Sequence, residues 1–121
     1  MDNKTEFEDI KNRILKEAER KDKNNMLIKI GGCKYSVNFV DDLARDADAQ
    51  GRSCGNALWI EVDSNLPKQN QESTIIHEIL EQINYRYNIG LEHHQICLLE
   101  TSIYQVIKDN WDTLGLLINK E

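Results

Sequence analysis

The sequence predicts an α+β domain: an N-terminal helix, a small antiparallel sheet of about three strands, and two packed C-terminal helices. Three observations carry that expectation. Residues 26–30 and 34–40 read as two strands joined at Gly31-Gly32, the pattern of a hairpin. Residues 58–62, Leu-Trp-Ile-Glu-Val, form a third run of strand-favouring side chains. Beyond it, apolar residues change to helical spacing, first at Ile75, Ile76, Ile79, Leu80 and Ile83, then at Ile96, Leu99, Ile103, Val106 and Ile107.

Each element has a local reason. Residues 5–22 place Phe7, Ile10, Ile14, Leu15 and Ala18 at helical spacing among charged neighbours, and the polar cluster 21–25 ends that pattern. In the hairpin, Leu27 and Lys29 on one side and Tyr35, Val37 and Phe39 on the other show the two-residue alternation of half-buried strands. The acidic stretch 41–48 suits a short helix or a loop. Gly51, Ser53, Gly55 and Asn56 make residues 50–56 a predicted loop. Asp63, Ser64, Asn65 and Pro67 stop the third strand, and the only proline fits a connection. Residues 71–74 lead into the first of the two helices, which should lie across the sheet, and Asn88 and Gly90 end it. The second spans roughly 93–110, and the tail 111–121 has room for one more short helix.

The bulk numbers narrow the function classes. The chain has 121 residues, enough for a single domain over 1–121 with one core. Apolar residues at 40% and charged residues at 30% suit a folded domain. A net charge of −6 argues against nucleic acid as partner. No apolar run approaches the ~18 residues of a membrane span. The polar start, Met1-Asp2-Asn3-Lys4, is not that of a secretory signal. The three cysteines, Cys33, Cys54 and Cys97, are too few and too scattered for a disulfide framework, and read as small hydrophobes in a reducing cytoplasm. The apolar stripes of the first and last helices suit internal packing and a second subunit equally, so the oligomeric state stays open.

The candidate chemistry lies on the helix through 75–86. His77 and Glu81 are four positions apart, so their side chains leave one face a turn apart and can meet one metal ion. Glu78 points about 100° around the helix from His77. In His-Glu-x-x-His peptidases two histidines bind zinc and the glutamate between them activates water. Here Glu81 stands at the second histidine position; a carboxylate also ligates zinc, but it adds negative charge and weakens the metal's Lewis acidity. A plain helical ion pair, worth ~0.2–0.5 kcal/mol, explains the same spacing. A third ligand would come from the next helix. His93 and Glu100 are the candidates there, seven residues apart and so on one face; His93 would complete two imidazoles and one carboxylate, a set that suits zinc and also non-haem iron. His94 beside it leaves that assignment open. For Glu100 the other reading is a buried polar contact to the first helix. Asn84, one turn beyond Glu81, suits orienting a side chain of the site and a surface role equally. Tyr104, Trp59 and Trp111 read as packing residues.

The stretch Ser73-Thr74-Ile75-Ile76-His77-Glu78-Ile79-Leu80-Glu81-Gln82-Ile83-Asn84 resembles a family of small zincin-like proteins of phages and prophages. So do Trp59-Ile60-Glu61-Val62-Asp63, Leu91-Glu92-His93-His94-Gln95-Ile96, Leu99-Glu100 and Tyr104-Gln105-Val106-Ile107-Lys108-Asp109-Asn110. The likeness covers roughly residues 57–110. It implies a zincin-like layout in which the strand at 59–63 lies beside the site helix and edges the cleft. It also implies a minimal metal-dependent hydrolase, a peptidase, with zinc on His77, Glu81 and His93, Glu78 as the base, and a host or phage protein as substrate. A second expectation is a non-catalytic module on the same scaffold that binds and modulates a host protein through an acidic surface. A third is metal binding for stability alone.

Overall fold

A computed structural model of the chain describes residues 8–12 and 25–119. Residues 8–12 are helical; the rest of the helix expected over 5–22 lies outside the described residues. Strands β1 (Asn25–Ile30) and β2 (Cys33–Val40) pair antiparallel, with Ile28 opposite Tyr35 and Ile30 opposite Cys33. Gly31 and Gly32 join them at φ 57° and 81°, angles that a side chain would resist. The core face of β1 carries Ile28 and Ile30 rather than Leu27, which is 66% exposed. The register explains this, since a one-residue shift exchanges every side chain between faces.

The sheet has four strands in the order β1-β2-β4-β3, and it is mixed rather than antiparallel. After β2 the chain turns through a short helix, α1 (Leu43–Ala47), and returns along the outer edge as β3 (Gly51–Cys54). It then reverses and runs as β4 (Trp59–Asp63) between β3 and β2, parallel to β2 and antiparallel to β3. The predicted loop at 50–56 is therefore mostly a strand. Its glycine and serine read as turn chemistry, but pairing with β4 decides its conformation. Asp63, at the end of β4, accepts the amide protons of Ala44 and Asn65 at 2.9 Å each and so ties α1 to the sheet. Those two bonds hold its carboxyl below the usual carboxylate range.

Helices α2 (Lys68–Tyr87), α3 (His93–Asp109) and α4 (Trp111–Ile118) complete the described chain. Pro67 precedes α2 at its N-cap, and Asn88 at φ 51° and Gly90 at φ 86° end it. The core is one layer between sheet and α2. Ile30, Tyr35, Val37, Ile60 and Val62 are buried, and Ile75, Ile79 and Ile83 of α2 pack against them. Each fully buried side chain of this size contributes roughly 1.5–3 kcal/mol. Helix α3 packs on α2 through Ile96, which is 1% exposed. No helix among the described residues is long and apolar enough to cross a membrane.

Candidate metal centre

Helix α2 presents a second face to the sheet. The residues it buries most deeply are Thr74, Glu78 and Gln82, a polar stripe at i, i+4 and i+8. Burying such groups costs free energy unless each is hydrogen-bonded, so this stripe is not there for packing alone. It faces β3, which comes unusually close because of Gly51. A Cβ built there would lie 2.4 Å from Thr74 Cγ2 and 3.4 Å from Glu78 Cγ. Edge strand β3 thus forms one wall of a cleft of about 510 Å³, lined by Arg52, Ser53, His77, Glu78, Glu81 and Gln82 among others. The strand at 59–63 was expected at that edge; β4 lies one strand further in, because β3 completes the sheet beside it.

His77 and Glu81 line this cleft, and His93 of α3 comes up to them. One potential ligand atom from each lies within 4.8 Å of the others. His77 Nε2 is 3.5 Å and His93 Nδ1 is 3.8 Å from the same carboxylate oxygen, Glu81 Oε1. These separations are too long for good hydrogen bonds. They are close to the spacing of ligands that share one ion: two donors each 2.0–2.2 Å from zinc at a tetrahedral angle stand about 3.3–3.6 Å apart. The group can hold a metal ion. His93 is the more open member, its side chain 75% exposed against 16% for His77. A ligand or substrate can therefore approach from the α3 side.

Two contacts orient the imidazoles. Glu100 Oε1 is 2.7 Å from His77 Nδ1, which makes that nitrogen the proton donor to the carboxylate and turns Nε2 toward Glu81. Cys97 Sγ is 3.5 Å from His93 Nε2, on the far side of the ring from Glu81. Three carboxylates, those of Glu78, Glu81 and Glu100, thus surround two imidazoles, an arrangement whose charge a dication would balance. Glu78 is 7% exposed, and burial pushes its carboxyl above the usual range, with Glu81 and Glu100 adding to that. The hydroxyl of Ser53, which donates to Glu78 Oε1 over 2.7 Å, and nearby His77 work in the opposite direction.

The structure separates the two adjacent histidines. Glu92 and Gln95 form a capping box at the start of α3, which seats His93 over Glu81. His94 points away, 69% exposed and 3.4 Å from Glu92. Glu100 contacts His77 and stands outside the group of converging ligand atoms. Asn84 does not orient a side chain of the cleft. It clamps the α2–α3 connection, accepting the Leu91 amide proton at 2.8 Å and donating to the Leu91 carbonyl at 3.1 Å. Its side chain is drawn there because the left-handed turn at Asn88 brings the chain back over it. Tyr104 donates to Glu72 on another flank of α2. Trp111 is 69% exposed rather than packed. The sequence alone assigns Ser53, Gln82 and Tyr35 no part in the site, although Gln82 continues the i, i+4 series of Thr74 and Glu78 and so carried a signal.

No family model, curated protein or solved structure matches the chain.

Proposed function

We propose that the cleft is the active site of a minimal zinc-dependent peptidase of phage or prophage origin, built on a zincin-like layout and working in the cytoplasm. The observation that carries this reading is the convergence of His77, Glu81 and His93 on one point, with Glu100 holding His77 in the tautomer a metal needs. Two imidazoles and one carboxylate leave a fourth position for water, the ligand set of catalytic rather than structural zinc. Zinc held there supplies Lewis acidity, polarising a peptide carbonyl and making water a stronger acid. Glu78, buried one step around the helix, takes the proton from the attacking water as its oxygen bonds to the carbonyl carbon. The same proton then passes to the leaving nitrogen as the C–N bond breaks. Edge strand β3 lies along the cleft, which agrees with an extended protein segment as substrate.

The test has two steps. Protein purified without a histidine tag is expected to carry one zinc per chain by mass spectrometry, and His77→Ala to carry none. Glu78→Gln is then expected to keep the zinc and lose hydrolysis of an internally quenched peptide library. Hydrolysis that survives in Glu78→Gln would refute the assigned role.

A second reading has its own observation. Leu116, Leu117 and Ile118 of α4 are 82%, 75% and 75% exposed, and α4 buries no residue among those described. An exposed apolar helix end of this kind suits a module that binds one host protein. Stoichiometric capture of a partner, unchanged by a chelator and by His77→Ala and without cleavage, would favour it.

A further inference from the structure

Glu78 is one end of a chain of hydrogen bonds that crosses from α2 to the sheet and back. Arg86 Nε donates to Tyr35 Oη over 2.5 Å, and the Tyr35 hydroxyl donates to Gln82 Oε1 over 2.8 Å. Gln82 Nε2 donates to Ser53 Oγ over 2.8 Å, and the Ser53 hydroxyl donates to Glu78 Oε1 over 2.7 Å. The chain has one direction. Arg86 cannot give up its proton and can only donate, so the Tyr35 hydroxyl must spend its own proton on Gln82. That fixes the carboxamide with its oxygen toward Tyr35 and its nitrogen toward Ser53. Ser53 therefore receives at its oxygen and donates to Glu78. Tyr35 is fully buried and Gln82 is 6% exposed, so water does not compete for these bonds in the middle of the chain.

The other carboxylate oxygen is in a different situation. Glu78 Oε2 has no hydrogen-bond partner among the described residues, and no buried side-chain oxygen there lacks one. Oε2 therefore keeps contact with the cleft. We propose that Ser53 is a positioning residue for Glu78: it engages Oε1 at the end of the chain from Arg86 and presents Oε2 to the attacking water. The proposal rests on the hydrolytic reading of the cleft. It accounts for Gly51 as well, since a short serine side chain reaches α2 only if β3 lies this close to the helix.

Isotopic labelling of glutamate, with side-chain coupling constants measured by NMR, reads the rotamers of Glu78 directly, before and after one equivalent of zinc. A single rotamer is expected in the native protein and in Ser53→Thr, which keeps the hydroxyl. Averaged rotamers are expected in Ser53→Ala, with zinc binding unchanged, and in Gln82→Leu, which breaks the chain one link earlier. One fixed rotamer in Ser53→Ala overturns the proposal, and so does averaging in Ser53→Thr to the same degree as in the alanine variant. Hydrolysis of the quenched peptide library is the second readout. Ser53→Ala is expected to lose on the order of 100-fold in kcat with KM unchanged, the cost of misplacing a reacting group; an unchanged kcat overturns the proposal. If the zinc-loaded native protein cleaves nothing, the peptidase reading fails, and the rotamers alone decide whether Ser53 positions Glu78.

Discussion

The imidazole of His77 has two nitrogens, and Glu100 determines which one faces Glu81. Removing that carboxylate frees the ring and its tautomer. Glu100→Ala is therefore expected to weaken zinc binding by about 10–100-fold, measured by competition with a chromophoric chelator, while His94→Ala leaves it unchanged. Glu78 has the opposite relation to stability. Its folded carboxyl is raised above the unfolded one by burial, so the protonated form suits the fold and ionisation opposes it. Stability from this group is fully present below the unfolded carboxylate range and is lost as pH rises through the raised folded value. Glu78→Gln is accordingly expected to stabilise the metal-free protein at neutral pH, with the gain shrinking in acid, as followed by urea denaturation at several pH values. The i, i+4 spacing of His77 and Glu81 was legible in the sequence because it is a local property of a helix. The meeting of Ser53, Tyr35 and Gln82 was not, because it exists only when β3, β2 and α2 are assembled.

Strand β3 is the element whose placement matters most and whose sequence says least. A strand against a helix ordinarily shows apolar side chains at every second position. Here the positions facing α2 are Gly51 and Ser53, chosen for small size and a hydroxyl, so the usual alternation is missing. The same fact gives a test. An added methyl at Gly51 would meet Thr74 Cγ2 at 2.4 Å and the Glu61 carbonyl oxygen at 3.1 Å, and the second of these is backbone that cannot step aside. Gly51→Ala is expected to cost about 1–3 kcal/mol in chemical denaturation, as overpacked sites do. The long helices, by contrast, announced themselves. Their apolar spacing, the stop at Asn88 and Gly90 and the start near His93 all depend on neighbours in sequence. The parallel pairing of β2 with β4 left no such trace, because it joins segments whose connection runs through α1 and β3.

At the scale of the molecule, the three candidate ligands come from two helices, with His77 and Glu81 on α2 and His93 on α3. An ion shared by them would fasten α3 to the layer of sheet and α2. Zinc is expected to raise the melting temperature, with a stabilisation of about 2.7 kcal/mol at a free concentration 100 times Kd, and a chelator to reverse it. His93→Ala should remove most of this effect. Differential scanning calorimetry across a zinc series measures it, and a melting temperature indifferent to zinc would rule out the staple. The two-layer α+β plan could be read from the chain because the hydrophobic period changes from strand to helical spacing after residue 63 and stays helical to the end of α3. How the layers enclose a cleft could not, since that depends on where an edge strand of four residues comes to rest.

The clamp of Asn84 on Leu91 fixes how many residues separate α2 from α3, and so it sets the angular phase of α3 over the cleft. Each residue removed from that connection rotates the following helix by about 100° relative to its partner. Deleting one would carry His94 into the place of His93, and Thr101 into the place of Glu100. The second histidine would then preserve an imidazole over Glu81 while His77 lost the carboxylate that orients it. A single-residue deletion near Ile89 thus keeps the ligand supply and removes the ligand orientation, the same separation that Glu100→Ala makes by substitution.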